Sequence, residues 1–546
     1  MAYFSIISVL SAIILYEILC YESEDLSSII VLLQISILHV GILFGRNFNQ
    51  YLYIGSLDVL SHRARIRAVL ETQRISEQIG IYQDFPLFHI LISEIIQITG
   101  GMVNTSGNIH LAGYMYLLSG VVYFFFPFIV YLLAKNISIS ENAALLCALM
   151  FAINIFAIDL GTYSIPRSIV PFFMTMLLLG ITSTVSNRRI RTGLSCVICT
   201  VVIIWHTVSF VFISILFLVI GVCAKLLGKK RNVLSSNPLR FGFLIGFGGS
   251  VYWTLFSEGL LYRVVIRLFS STPSGISFNT DVQISVSNVI NYIPLSVLVL
   301  LIVVGLLFSL DQDSTPELVV VFSLMGIVMI VLSFPGPLLL LRKLATNLSF
   351  QRWREYAFVF LSISAAIGLF KIALTTIGAK RIVVMFLIFS GLSVSNGYVA
   401  SDNPLVSDGG ENKYFTEEEI HAFDTINSIA NGNVVSDSRV AIYYRETKEN
   451  RLGHPIEVDE QVLVVDTNSK MIRVPTDQSD VLVIRKDNWR DSSIKVLPSS
   501  SEDLAETLGD FIPFISEYEY SKGKYQNIEK QNKIHSSGGT VSFTTR

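Results

Sequence analysis

Between Gly55 and Gly101 the chain carries ionisable side chains at a density that the apolar segments around it lack. Asp58 and His62 stand four apart, so on a helix they share a face with Arg65 or Arg67. A carboxylate placed there can take a proton from an acceptor hydroxyl or amide, and arginines such as Arg63 and Arg65 can hold a phosphate. Farther on, Tyr82-Gln-Asp84-Phe-Pro86-Leu-Phe-His89 brings turn chemistry to the start of an apolar helical pattern (Leu87, Ile90, Leu91, Ile95, Ile96). Each set has a plainer reading. The first reads equally as an interfacial helix with a solvated face, the second as a helix entry with Asp84 for its N-cap. His89 and Glu94 fall on different faces and make a poor ligand pair.

Three further sets follow. Asp159-Leu-Gly-Thr-Tyr163-Ser-Ile-Pro166-Arg167 joins an acid, a tyrosine and an arginine in one short loop. His206 follows Trp205 at a span end, where a lone histidine is more often structural than a ligand. Arg342-Lys343 and Gln351-Arg352-Trp353-Arg354-Glu355-Tyr356 set cations beside an aromatic. They suit an anchor belt at a membrane interface, or a clamp for a lipid phosphate, where Arg serves better than Lys.

The elements that must position these residues are apolar. The chain has 546 residues, a mean hydropathy of +0.58, and is 52% hydrophobic and 15% charged. Soluble domains carry about a quarter charged residues, so this is a membrane protein. A formal charge of −2 offers no basic excess to neutralise nucleic-acid phosphates. The five cysteines all lie in apolar stretches, and Cys196-x-x-Cys199 has no second ligand pair; packed residues are expected there rather than a zinc or redox centre. The first 25 residues lack a basic start and a cleavage site and read as a retained span.

A spanning helix needs about 20 mostly apolar residues. Runs at 3–20, 27–45, 110–134, 140–158, 169–186, 192–205, 207–226, 241–257, 293–310, 318–334, 355–372 and 380–396 predict about twelve spans, with 192–226 alternatively one span plus a re-entrant piece. Arg188, Arg189, Arg191, Lys225, Lys229, Lys230, Arg231, Lys371, Lys380 and Arg381 fall on one side, which the charge rule makes cytoplasmic. The loops at 46–109, 159–167, 258–292 and 335–354 and the whole tail then face outward. The acidic loops Tyr21–Leu26 and Asp311–Glu317 fit that topology less well. It leaves sequons at Asn104 and Asn347 outside and the one at Asn136 inside.

Residues 397–546 form a polar tail, against 1–396 for the membrane part. Thr416-Glu417-Glu418-Glu419 opens a helical run through Ile420, Phe423, Ile426 and Ile429. Strand-like runs at 434–436, 462–465, 481–484 and 540–544 complete a small α/β domain, extracytoplasmic in this topology.

In this order the residues resemble the GT-C class of polyprenyl-phosphate-dependent membrane glycosyltransferases, in an archaeal-type branch. The resemblance rests on Gly55-Ser-Leu-Asp58-Val-Leu-Ser-His62, Ile81-Tyr82-Gln-Asp84-Phe-Pro86-Leu-Phe-His89, Tyr163-Ser-Ile-Pro166-Arg167, Ile203-Ile-Trp-His206-Thr, Arg352-Trp-Arg354-Glu-Tyr-Ala and the closing Asn532-Lys-Ile-His-Ser-Ser-Gly538-Gly539. It implies an α-helical polytopic enzyme that moves a sugar from a polyprenyl-phosphate carrier to a glycan, lipid or protein acceptor at the outer face of the cell membrane. It implies Asp58 as the catalytic carboxylate. His62, Arg63, Arg65, Tyr82, Asp84, His89, Asp159, Tyr163, Arg167, His206, Arg352 and Arg354 become candidates for binding substrate or lipid phosphate. The first loop has no Asp-x-Asp and the chain no Trp-Trp-Asp-Tyr-Gly run, so branches that transfer single sugars fit better than metal-dependent oligosaccharide transfer to Asn. No metal ligand is assigned, and a divalent cation (Mg or Mn) stays open.

Two other classes compete. A flippase for lipid-linked sugars would place charge inside the spans and show an internal repeat. A structural or sensory membrane protein with a partner-binding tail would leave the first-loop acids without work.

Overall fold

A computed structural model describes residues 2–20, 28–45, 52–53, 58–100, 108–183, 188–227, 238–257, 259–262, 286–311, 316–333, 350–374, 379–396 and 414–429. In the tail it adds 434–435, 440, 443, 464–466, 471–473, 481–485, 494–495, 517–518, 532–536 and 540–544. Arg342, Lys343, Lys229, Lys230, Arg231, the sequons at Asn104 and Asn347 and most of the 258–292 and 335–354 loops lie outside the described residues.

All twelve apolar runs fold as helices, from Ala2–Cys20 to Ala379–Val394. Among the described residues, five of them (2–20, 111–136, 209–227, 290–310 and 354–372) are long and apolar enough to cross a membrane. The run at 140–158 differs from expectation. It breaks into Glu141–Ala152 and Ile155–Gly161 with a 54° bend, a sixth span if the two are counted together. Its hydropathy does not announce the break, which Asn154 within the run and side chains from other helices stabilise together. Asn154 Oδ1 accepts from the Phe156 amide at 3.0 Å and so caps the second piece. The Asn154 side-chain amide donates to Ser362 Oγ at 3.1 Å, and His39 Nδ1 donates to the Ala152 carbonyl freed at the bend, 2.8 Å away. The 192–226 region forms two helices, Arg188–Trp205 and Ser209–Leu227, parted at 206–208.

Of the five candidate spans, helix Arg354–Ile372 is the most enclosed, packed among Glu141–Ala152, Val286–Asp311 and Glu317–Ser333. Its approach to Val286–Asp311 is backbone to backbone. A Cβ on Gly368 would lie 2.0 Å from the Leu301 carbonyl oxygen, and one on Gly305 2.3 Å from the Ser364 oxygen. Neither obstacle is a movable side chain. We expect Gly368→Ala to cost about 1–3 kcal/mol, the range for overpacking, read as a lowered Tm in detergent. Gly113→Ala, where nothing stands within 4 Å, serves as the unaffected control.

At one end of the bundle Glu141 gathers Lys135 Nζ at 2.6 Å, Ser28 Oγ at 2.5 Å and the Tyr131 hydroxyl, tying three helix termini together. The opposite end carries the first loop, which folds as helix Asp58–Thr72, a 3₁₀ segment Glu77–Gln83 and helix Leu87–Ile98. Just before it, Leu52 and Tyr53 pair antiparallel with Phe415 and Tyr414, so the start of the tail meets the first loop.

In the tail, Thr416 and Glu419 make the capping box that their spacing predicts. The Glu419 amide donates to Thr416 Oγ1 at 3.1 Å, and the Thr416 amide donates to Glu419 Oε2 at 2.9 Å. Val481–Arg485 lies between Val434–Val435 (parallel) and Thr540–Thr544 (antiparallel), and Asn532–Ser536 continues the sheet beyond Thr540–Thr544.

Candidate active site

Helix Asp58–Thr72 is amphipathic as its sequence predicts, with Val59, Leu60, Ile66 and Val69 buried. Asp58 sits in its first turn, where the helix dipole favours a carboxylate. Arg65 leaves the helix to lie 4.8 Å over the Tyr82 ring. Arg63 and Arg67 are buried along the same helix, 1% and 4% exposed. Tyr82 is thereby held between a cation and two imidazoles. Its ring centroid stands 4.8 Å from that of His62 and 5.0 Å from that of His89. The two histidines touch each other, Nδ1 of His62 lying 2.9 Å from Nε2 of His89.

The second loop closes against the start of helix Arg354–Ile372 through two ion pairs. Arg354 reaches Asp159 at 3.8 Å, and Arg167 reaches Glu355 at 3.6 Å. The Tyr163 hydroxyl donates to Asp159 Oδ2 at 3.4 Å, and the Arg167 guanidinium stacks on the Tyr163 ring at 5.3 Å. Between them Ser164 is fully buried at φ +51°, a left-handed backbone that a serine adopts only under constraint. His206 lies in the break between two helices, and indole N–H donors fasten the loops on either side of it. Trp205 Nε1 donates to the Pro166 carbonyl at 2.9 Å and Trp253 Nε1 to the Thr207 carbonyl at 3.0 Å.

These groups act on one another electrostatically. Tyr82 feels the charges of Arg65, Asp58, Arg167 and Arg352, and burial first of all pushes its hydroxyl up to about 12. Burial also holds His89 down to about 3, with Arg65 contributing. His62 and His206 lie well below the ordinary imidazole range, again by burial first, then by neighbouring His89 and Arg65 for His62 and by Arg352 and Arg167 for His206. The imidazoles are therefore neutral at neutral pH, and among the described residues the positive charge of the cluster comes from arginine.

The structure brings together Asp58, His62, Arg65, Tyr82, His89, Asp159, Tyr163, Arg167, His206, Arg352 and Arg354 from four separate segments. Asp84 stands apart, and not as the N-cap its spacing suggested. Pro86 holds the cap position of Leu87–Ile98 without a side-chain bond. The Asp84 carboxylate instead accepts from Ser257 Oγ at 2.8 Å, and its carbonyl from the Tyr252 hydroxyl. That fastens the first loop to helix Pro238–Phe256. Three residues of the cluster had no assigned part from sequence: Glu355, Ser209 and Tyr356. Glu355 adjoins Arg354, a signal in plain view. Tyr356 closes the same run of cations and aromatics, while Ser209 carried no signal.

Among the described residues no three His, Cys, Asp or Glu side chains converge as a metal-ligand set. Asp159 and Glu355 are each held by an arginine.

Comparison with known proteins yields fold and little else. No family model matches the chain, and no curated protein sequence matches it. Among solved structures it is similar to the Archaeoglobus fulgidus oligosaccharyltransferase in the apo form, with a TM-score of 0.51 and 11% identity over 86% of this chain and 70% of that one. It is also similar to the same enzyme in complex with Zn and sulfate, with a TM-score of 0.52 and 12% identity over 95% of this chain and 73% of that one. The chain thus shares the helical fold of an archaeal oligosaccharyltransferase, consistent at the level of fold with the GT-C resemblance.

Proposed function

We propose that the protein is a polytopic membrane glycosyltransferase. It takes a sugar from a polyprenyl-phosphate carrier and passes it to an acceptor at the outer face, with residues 397–546 as an extracytoplasmic domain. The single observation that carries this reading is the meeting of Asp58 with four arginines at the first-loop end of an oligosaccharyltransferase-like bundle. A flippase has no use for a carboxylate there, and a structural protein has no use for the cations.

The reading assigns the chemistry as follows. Asp58 accepts the proton of the acceptor group as that atom bonds to the sugar's anomeric carbon. The bond from this carbon to the phosphate oxygen breaks, and the carrier phosphate leaves with the electron pair. Arg65, Arg167, Arg352 and Arg354 stabilise the charge that develops, at a desolvated interface where such stabilisation is strongest. The enclosed loop keeps out water, which would otherwise take the sugar. Asp159 and Glu355 are engaged by Arg354 and Arg167.

The charge balance also selects the donor. Among the described groups paired here or acting on Tyr82 and Arg167, the guanidinium groups of Arg65, Arg167, Arg352 and Arg354 stand with the carboxylates of Asp58, Asp159 and Glu355, one positive charge in excess. That matches the single charge of a sugar phosphodiester better than the two of a pyrophosphate. The test is transfer from both donor types by the purified full chain. We expect product from the monophosphate-linked sugar, with kcat/KM at least tenfold above the pyrophosphate-linked one. The reverse order would overturn the assignment.

A further inference from the structure

Two imidazoles in the cluster have one nitrogen satisfied by the protein and the other without a described partner. Their surroundings decide which nitrogen carries the proton. His206 Nδ1 stands 2.8 Å from Ser209 Oγ, and the Tyr356 hydroxyl donates to that same Oγ from 2.9 Å. Ser209 has one proton to give. With its oxygen already accepting from Tyr356, it donates to His206 Nδ1, which must then be the bare nitrogen. A neutral His206 consequently carries its proton on Nε2.

His62 follows the same logic through His89. One proton lies between His62 Nδ1 and His89 Nε2, 2.9 Å apart. If His62 supplied it, His89 would carry its own proton on Nδ1, a buried atom with no partner among the described residues. If His89 supplies it, that same buried atom is a bare lone pair. An orphaned N–H is the rarer and costlier of the two in a protein interior. His89 therefore donates, and His62, like His206, carries its proton on Nε2. Burial and the surrounding cations keep all three rings uncharged, so this tautomer pattern persists at neutral pH.

We propose that His89 and the Ser209–Tyr356 pair are positioning residues that lock His62 and His206 as two neutral Nε2–H donors for the anionic oxygens of the carrier phosphate. The arginines supply charge, and the imidazoles supply directed hydrogen bonds that add none. Two protonated imidazoles would add positive charge where Arg65, Arg167 and Arg352 already act on these rings. Arg65 and Arg167 act on His62, Arg65 on His89, and Arg352 and Arg167 on His206, while Asp58 acts on Tyr82, whose ring contacts complete the enclosure. This inference rests on the transferase reading for its ligand, but the tautomers themselves do not.

The experiment is nitrogen NMR on the full-length protein with ¹⁵N-labelled histidine in lipid bilayers. His62→Gln and His206→Gln variants assign the two rings. Both rings should show a protonated Nε2 and a bare Nδ1 at neutral pH. A short polyprenyl monophosphate, added as the probe, should shift both Nε2 signals. In His89→Phe the His62 ring should become a mixture of tautomers, and KM for the donor should rise about tenfold, the worth of one hydrogen bond to a charged group. His89→Gln, whose side-chain amide can still donate, should restore both readings and guards against a folding defect in the phenylalanine variant. A protonated Nδ1 on His62 or His206 in the wild type would overturn the proposal, as would Nε2 signals that ignore the probe. If the tautomers are as stated and the probe binds, yet no sugar is transferred, the proposal stands and the transferase reading fails.

Discussion

Asp58→Asn is expected to lower transfer by about 10²- to 10⁴-fold, the usual worth of a positioned general base, while the protein remains folded. The amide keeps the size of the carboxylate and its place in the first turn of Asp58–Thr72, where the favourable dipole contact it gives up is worth about 0.3–1 kcal/mol. What it cannot do is accept a proton. The effect should fall on kcat with the donor's KM nearly unchanged, because the residue acts on the acceptor and not on the carrier. Single-turnover transfer with a radiolabelled donor measures it, and an unchanged Tm in detergent checks the fold. A mutant turning over as fast as the wild type would remove Asp58 from the chemistry.

Arg352→Ala should show the opposite signature. Arg352 makes no ion pair among the described residues, whereas Arg167 and Arg354 are engaged with Glu355 and Asp159. Its charge nonetheless reaches both Tyr82 and His206. Removing it should raise KM for the donor by about 10- to 100-fold, as expected for a hydrogen bond to a charged group worth roughly 1.5–3 kcal/mol. Little should be lost in stability, since no carboxylate is orphaned. Arg352→Lys keeps the charge but not the planar fork, and should recover only part of the affinity. Arg167→Ala differs because it strands Glu355, which is 12% exposed, and so should lower Tm as well as affinity. A donor KM that Arg352→Ala leaves unmoved would mean the phosphate is held elsewhere.

The helices were legible because hydrophobic length is a local property: each apolar run can be recognised without knowing its neighbours. The capping box at Thr416 and Glu419 was legible for the same reason, since both partners lie within one turn. The break at 153–154 was not, because the groups that satisfy it, His39 and Ser362, come from distant helices. The candidate site divides along the same line. Residue types that stand out in an apolar chain, such as Asp58, Arg65, Arg167 and Arg354, were singled out from sequence. Their pairing was invisible, because Arg354 with Asp159 and Arg167 with Glu355 are tertiary contacts between loops almost 200 positions apart. Asp84 shows the limit from the other side. A carboxylate two residues before Pro86 has the spacing of helix entry, yet tertiary partners on another helix, Ser257 and Tyr252, claimed it.

The central claim is that the first-loop end of this bundle transfers a sugar rather than translocates one. Purified full-length protein in sealed liposomes, given a radiolabelled polyprenyl-monophosphate sugar and an acceptor extract, tests it in one measurement. The account predicts label in the acceptor fraction and free polyprenyl phosphate in equal amount, both lost in Asp58→Asn. Label that crosses to the other leaflet still attached to its carrier, with no product formed, would contradict it.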